Sequence, residues 1–173
     1  MTVLFPPRPV PASPRAPLAA LPQPVAAVLT DRTDDVAVAQ AAARSALLRQ
    51  APLLLIAVLP HARPGRRPAP SAPEVRAVLG RVLPGVEPLG LGHIPAVFTP
   101  VTRRASRLAA PWLLLDLASR HRAPQVFAAR HSPYGLDAHA LIEAASHRGG
   151  PRVHAVGPGR WAPLLPRPQG AAR

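Results

Sequence analysis

The chain has 173 residues, with 21 Lys plus Arg against 8 Asp plus Glu, a formal charge of +13. It has no cysteine, which excludes disulfides and thiolate metal sites. Hydrophobic residues make up 48% and aromatics only 3%, so one core must be built from Ala, Val and Leu, and no apolar run reaches the roughly 18–20 residues that span a bilayer.

Every basic residue other than His is an arginine, and Asn is also absent, as in the product of a GC-rich gene. The charge predicts attraction to nucleic acid or acidic partners on electrostatic grounds, without base specificity. Prolines number 26, far above the usual ~5%, and they cluster at the ends and in a few loops. Residues 1–23 therefore read as a disordered proline-rich tail, 24–159 as one α/β domain, and 160–173 as a second Pro/Arg-rich tail. Prolines also interrupt any apolar segment of signal-peptide length near Met1, so a cytoplasmic location is expected.

Val25-Ala-Ala-Val-Leu29 is apolar throughout and suits a strand covered on both faces. Asp34 or Asp35 then caps a helix whose stripe runs through Val36, Ala39, Ala43, Ala46 and Leu47. Leu53 to Leu59 is a second doubly buried strand. Ser71 is placed to cap the next helix, with Pro73 and Glu74 in its first turn and Pro84-Gly85 at its end. A third strand is expected at Val86–Leu91, short and at an edge, with Ala96–Thr99 as its competitor. Arg103 to Arg122 has helical period with a kink expected at Pro111. Gln125–Ala129 reads as a fourth strand, Leu136–His147 as a helix and Arg152–Val156 as a fifth strand. The alternation predicts a doubly wound parallel sheet with helices on both faces.

The first third of this domain resembles the universal stress protein family. A valine-rich strand leads through Asp31 and a polar turn into an Ala/Arg helix, then Ala51-Pro52 and a strand ending Ala57-Val58-Leu59-Pro60. Arg152-Val-His-Ala-Val-Gly-Pro-Gly159 is similar to the family's final strand. The resemblance implies a five-stranded parallel sheet of flavodoxin-like type, a homodimer through the last strand and, in one subgroup, ATP binding. In that subgroup the pocket uses the Asp after the first strand, which Asp31 matches, and a Val at the end of the second, which Val58 matches. It also uses a Gly-rich phosphate loop after the fourth strand. Here that loop reads Ala129-Arg-His-Ser-Pro-Tyr-Gly135, with Ile142 where a further Gly is expected. Phosphate cradles need converging backbone N–H groups, and Pro133 removes one donor. Arg32 replaces the usual small residue after Asp31.

These departures predict a binding and regulatory domain without catalysis, with a degenerate ATP site framed by Asp31, Val58, Arg130 and His131 and no bound cofactor. The alternative is a basic interaction protein that meets nucleic acid or acidic partners through its arginine loops and tails. Two other constellations are weaker. His139, Glu143 and His147 share a metal-ligand register but fall on the predicted solvated face of their helix. Ser132 beside His131 lacks the Gly-x-Ser-x-Gly elbow of a hydrolase.

Overall fold

The structure, a computed structural model, describes residues 22–59, 68–100 and 106–157. The predicted tails fall almost wholly outside the described residues, as do most of the basic loop after the second strand and Arg103–Ala105. Five strands form one parallel sheet: β1 (Val25–Leu29), β2 (Leu53–Val58), β3 (His93–Phe98), β4 (Gln125–Ala129) and β5 (Arg152–Val156). Their order is β3-β2-β1-β4-β5, so β1 is central. Four helices connect them: α1 (Asp35–Leu48), α2 (Pro73–Val86), α3 (Ala109–Arg120) and α4 (Ala138–Arg148). The doubly wound α/β sheet expected from the alternation is the observed fold. Its 3-2-1-4-5 order differs from the 2-1-3-4-5 order of flavodoxin itself and sets the topological reversal between β1 and β4.

The side-chain alternation of the strands divides the core in two. Val25, Ala27 and Leu29 of β1, with Leu53, Leu55 and Ala57 of β2, face α1 and α2. Ala26, Val28, Leu54, Ile56 and Val58 face α3 and α4 on the other side. Each strand of the central pair is buried on both faces, which is why both read as unbroken apolar runs.

The stripe of α1 is turned from its predicted position. Val38, Ala39, Ala42, Ala43 and Ala46 are buried, while Val36 and Leu47 lie at its exposed flanks. The alanine cluster permits the closest approach to the sheet and so decides the helix orientation. Helix α2 runs through Pro84 rather than stopping there, because Val82 and Val86 continue its buried face of Val75, Val78 and Leu79. Its N-cap is Ala72, not Ser71, with no side-chain cap.

The third strand also differs from expectation. Val86 closes α2, and Glu87–Leu89 forms a 3-10 turn, so β3 begins only at His93 and overlaps the competing segment. It is an edge strand, where Pro95 opposite Leu55 is tolerated because one side of the strand needs no ladder donor. Pro111 does not kink α3: it is the third residue of the helix, where a backbone N–H has no intrahelical acceptor. The Arg148 guanidinium of α4 lies 4.1 Å from the Trp112 ring centroid of α3, and Arg107, just before α3, forms an ion pair with Glu143 of α4. No helix among the described residues is long and apolar enough to cross a membrane.

Candidate functional site

In an open parallel sheet, ligands bind beyond the C-terminal ends of the strands where the strand order reverses. Here that position lies between the β1–α1 loop and the β4–α4 loop. The first loop is organised by Asp35. Its Oδ1 accepts from the Thr30 N–H at 3.0 Å and its Oδ2 from the Arg32 N–H at 3.1 Å. The intervening Asp31 is forced to φ +65°, a left-handed conformation that a short polar residue tolerates. Burial dominates the ionisation of Asp35 and raises its pKa above the ordinary 3.8, against the opposing backbone hydrogen bonds from Thr30 and Arg32.

The second loop folds over the first. Ser132 donates to the Thr30 hydroxyl at 3.3 Å, so the two loops meet across the reversal point. Pro133–Gly135 then makes one 3-10 turn in which Tyr134 is held at φ +65°. Asp137 ends the loop as the N-cap of α4, accepting from the Ala140 N–H at 2.9 Å.

A cleft of about 1040 Å³ opens beside these loops, bounded by the ends of β1 and β2, the N-terminal half of α2 and the Pro133-Tyr134 turn. Its floor includes Val58 and Val78, and its charged groups are Asp31, Arg32, Glu74 and Arg81. Arg81 reaches from α2 to the Asp31 carboxylate at 2.6 Å and to the Asp31 carbonyl at 3.4 Å. Both side chains are about half exposed (52% and 50%), so the pair contributes at most about 1 kcal/mol to stability.

Of the residues singled out in the sequence, Asp31 and Val58 line this cleft. Arg130 and His131 are exposed and are not among its lining residues. The Arg130 N–H donates to Val156 O at 2.9 Å, and its Nε lies 3.9 Å from where a Cβ on Gly157 would stand, so this residue faces β5. Ser132 is engaged by Thr30 rather than by His131. On α4, Glu143 pairs with Arg107, and no group of three or more His, Asp or Glu suited to a metal ion occurs among the described residues.

Three residues were missed. Arg81 gives no signal in a linear reading, since its α2 register becomes meaningful only once α2 is placed against the β1 end. Tyr134 carries no signal either, because its backbone conformation is invisible in sequence. Asp137 did carry a signal, an Asp directly before an Ala-His-Ala-Leu run, which is an N-cap pattern.

A carboxylate thus stands at each border of the reversal point: Asp35 takes the Thr30 and Arg32 N–H groups of the β1–α1 loop, and Asp137 takes the Ala140 N–H in the first turn of α4. An anion would otherwise use such N–H groups and the positive end of the dipole.

The chain has the fold of the universal stress proteins. It matches the universal stress protein from Archaeoglobus fulgidus with a TM-score of 0.56 and 16% identity, over 80% of this chain and 96% of that one. A universal stress protein from Archaeoglobus fulgidus in complex with dAMP matches with a TM-score of 0.55 and 18% identity, over 78% and 97%. A universal stress family protein from Burkholderia pseudomallei gives 0.51 and 16%, over 81% and 98%. No family model and no curated protein matches the sequence.

Proposed function

We propose that this chain is a divergent universal-stress-type domain that binds a nucleoside-sized ligand without catalysis and does not hold the phosphates of ATP. The observation that carries this reading is the pair of carboxylates bordering the reversal point, Asp35 holding the Thr30 and Arg32 N–H groups of the first loop and Asp137 holding the Ala140 N–H at the start of α4. A phosphate there would lose those donors and meet negative charge. Pro133 contributes no N–H to the second loop. The open, partly apolar cleft beside Asp31 and Val58 supports a small-molecule ligand, and the fold neighbour solved with dAMP supports a nucleoside as its class. A homodimer through β5, which stands at one edge of the sheet, belongs to the same reading.

Calorimetric titration with a nucleoside and its magnesium triphosphate at about 0.15 M salt tests the proposal. We expect the two dissociation constants to agree within about threefold, the phosphates adding nothing specific. A ligand at about 100 times its dissociation constant adds about 2.7 kcal/mol, which in thermal melts of a chain this size is a shift of roughly 5–11 °C. Tenfold or tighter binding of the triphosphate would restore a working phosphate site and sink this reading.

The net charge of +13 favours a second activity, contact with nucleic acid or acidic partners through arginines. It predicts DNA retention that falls linearly in log–log form as salt rises, with no preference between sequences. Absence of retention at low salt removes it.

A further inference from the structure

We infer that Arg81 and Asp31 together make the cleft select a purine carrying a lactam edge, guanine above adenine, with Tyr134 as its stacking platform. The inference deepens the reading that this cleft takes a nucleoside and rests on it. Its starting point is a pair of opposite charges 2.6 Å apart at the end of the central strand. Each group is about half exposed to the cleft, so a ligand can reach both without displacing either from the protein.

The chemistry of such a pair dictates the edge it reads. A carboxylate only accepts hydrogen bonds and a guanidinium only donates them. The matching edge presents N–H donors directly beside an acceptor. Guanine offers N1–H and its 2-amino group to a carboxylate, with O6 and N7 as acceptors for a guanidinium. Hypoxanthine keeps N1–H and O6 but lacks the amino group. Adenine offers one amino donor beside a ring nitrogen, and so makes fewer charge-assisted bonds with the same two groups. Asp31 reads the N1–H and amino donors and Arg81 the O6 and N7 acceptors, so the two residues set the preference together.

The backbone adds a second, independent observation. Among the described residues, four other than glycine adopt positive φ: Asp31, Gln50, Arg122 and Tyr134. Gln50 and Arg122 follow the last turns of α1 and α3, where left-handed residues are ordinary helix endings. Asp31 and Tyr134 terminate no such helix, and both line the cleft. A left-handed tyrosine is uncommon, and residues held in such conformations concentrate at ligand clamps. Tyr134 is 42% exposed at the rim, where its ring can stack on a flat base.

Titration of guanosine, inosine and adenosine into the full chain, its Arg81→Met variant and its Tyr134→Gly variant tests the inference. Methionine keeps much of the stem of Arg81 and removes the donors, while glycine suits the φ of +65° at position 134. The expected order for the native chain is guanosine, inosine, adenosine, with guanosine about tenfold tighter than adenosine. Arg81→Met should lower that ratio to about threefold, the remainder coming from the N1–H and amino donors that Asp31 reads. Tyr134→Gly should weaken guanosine and adenosine by a similar factor, of order tenfold, and leave their ratio intact. Equal or tighter binding of adenosine by the native chain overturns the lactam preference, as does an Arg81→Met variant with an unchanged ratio; the nucleoside reading survives either result. If no nucleoside binds the native chain, the cleft is not a nucleoside site and both readings fall together.

Discussion

Leu55→Ala is expected to destabilise the domain by about 4 kcal/mol and to lower its melting temperature by roughly 8–16 °C. Leu55 is wholly buried in β2, facing α1 and α2 and paired with Ala27 of β1. Helix α1 on that face contributes Ala39, Ala42, Ala43 and Ala46 to the same core cluster. Alanine neighbours have no spare rotamers with which to fill a void, and the backbone of a central strand cannot move inward without breaking ladders on both sides. The cost should therefore fall towards the upper end of the range for such truncations. Against a typical total stability of about 5–15 kcal/mol, one substitution removes a large fraction. Leu48→Ala is the control: Leu48 is 90% exposed, and its loss should change stability by less than about 0.5 kcal/mol. Equal midpoints for the two variants in denaturant titrations would contradict a core built by leucines against alanine.

That dependence on a few leucines also explains why the central fold was legible in the sequence. Strands buried on both faces must be apolar at every position, so β1 and β2 stood out as runs between Pro24 and Asp31 and between Pro52 and Pro60. β4 and β5 were found at their observed bounds for a related reason, each being a short run between turn residues. The edge was harder. β3 is only partly buried and contains Pro95, so its apolar signal is no stronger than that of the preceding Val86–Leu91 segment, which α2 and a 3-10 turn consume. The stripe of α1 was misjudged because alanine is nearly neutral as a periodicity marker, and the two larger residues, Val36 and Leu47, drew the reading towards the wrong side.

The lining of the cleft is legible only in part. Asp31 and Val58 follow directly from the ends of β1 and β2, and parallel strand ends are where such folds place ligands. Arg130 and His131 follow the end of β4 equally directly, yet the chain leaves that strand towards β5 and turns back only at Pro133. It is Pro133 and Tyr134 that reach the cleft. Strand ends can be counted in a sequence; the path of a loop with a left-handed residue in it cannot. Arg81 was beyond reach for the same reason, since it is 50 residues from Asp31 and comes close only through the α1–α2 layer.

Asp35→Ala is expected to cost about 2 kcal/mol, and the difference from the native chain should widen in acid. The carboxylate holds two backbone donors, and Thr30 is buried, so alanine leaves at least one N–H without a partner or water. It also removes the acceptor that fixes Asp31 at positive φ, so the Arg81 contact and nucleoside binding should weaken together. The pH dependence follows from burial, which raises the Asp35 pKa in the folded state above the 3.8 of the unfolded chain. The folded state then retains its proton to higher pH than the unfolded state. The resulting contribution to stability is complete below 3.8 and is lost as pH rises through the raised folded value. Native and variant unfolding free energies, measured by denaturant titration at neutral pH and again below about pH 4, should therefore diverge on acidification. A gap that narrows instead would mean that the two N–H bonds outweigh burial and hold the folded carboxyl below its ordinary value. Asp35 would then stabilise the β1–α1 turn as a fully ionised cap, and the turn that presents Asp31 would tighten with rising pH rather than loosen.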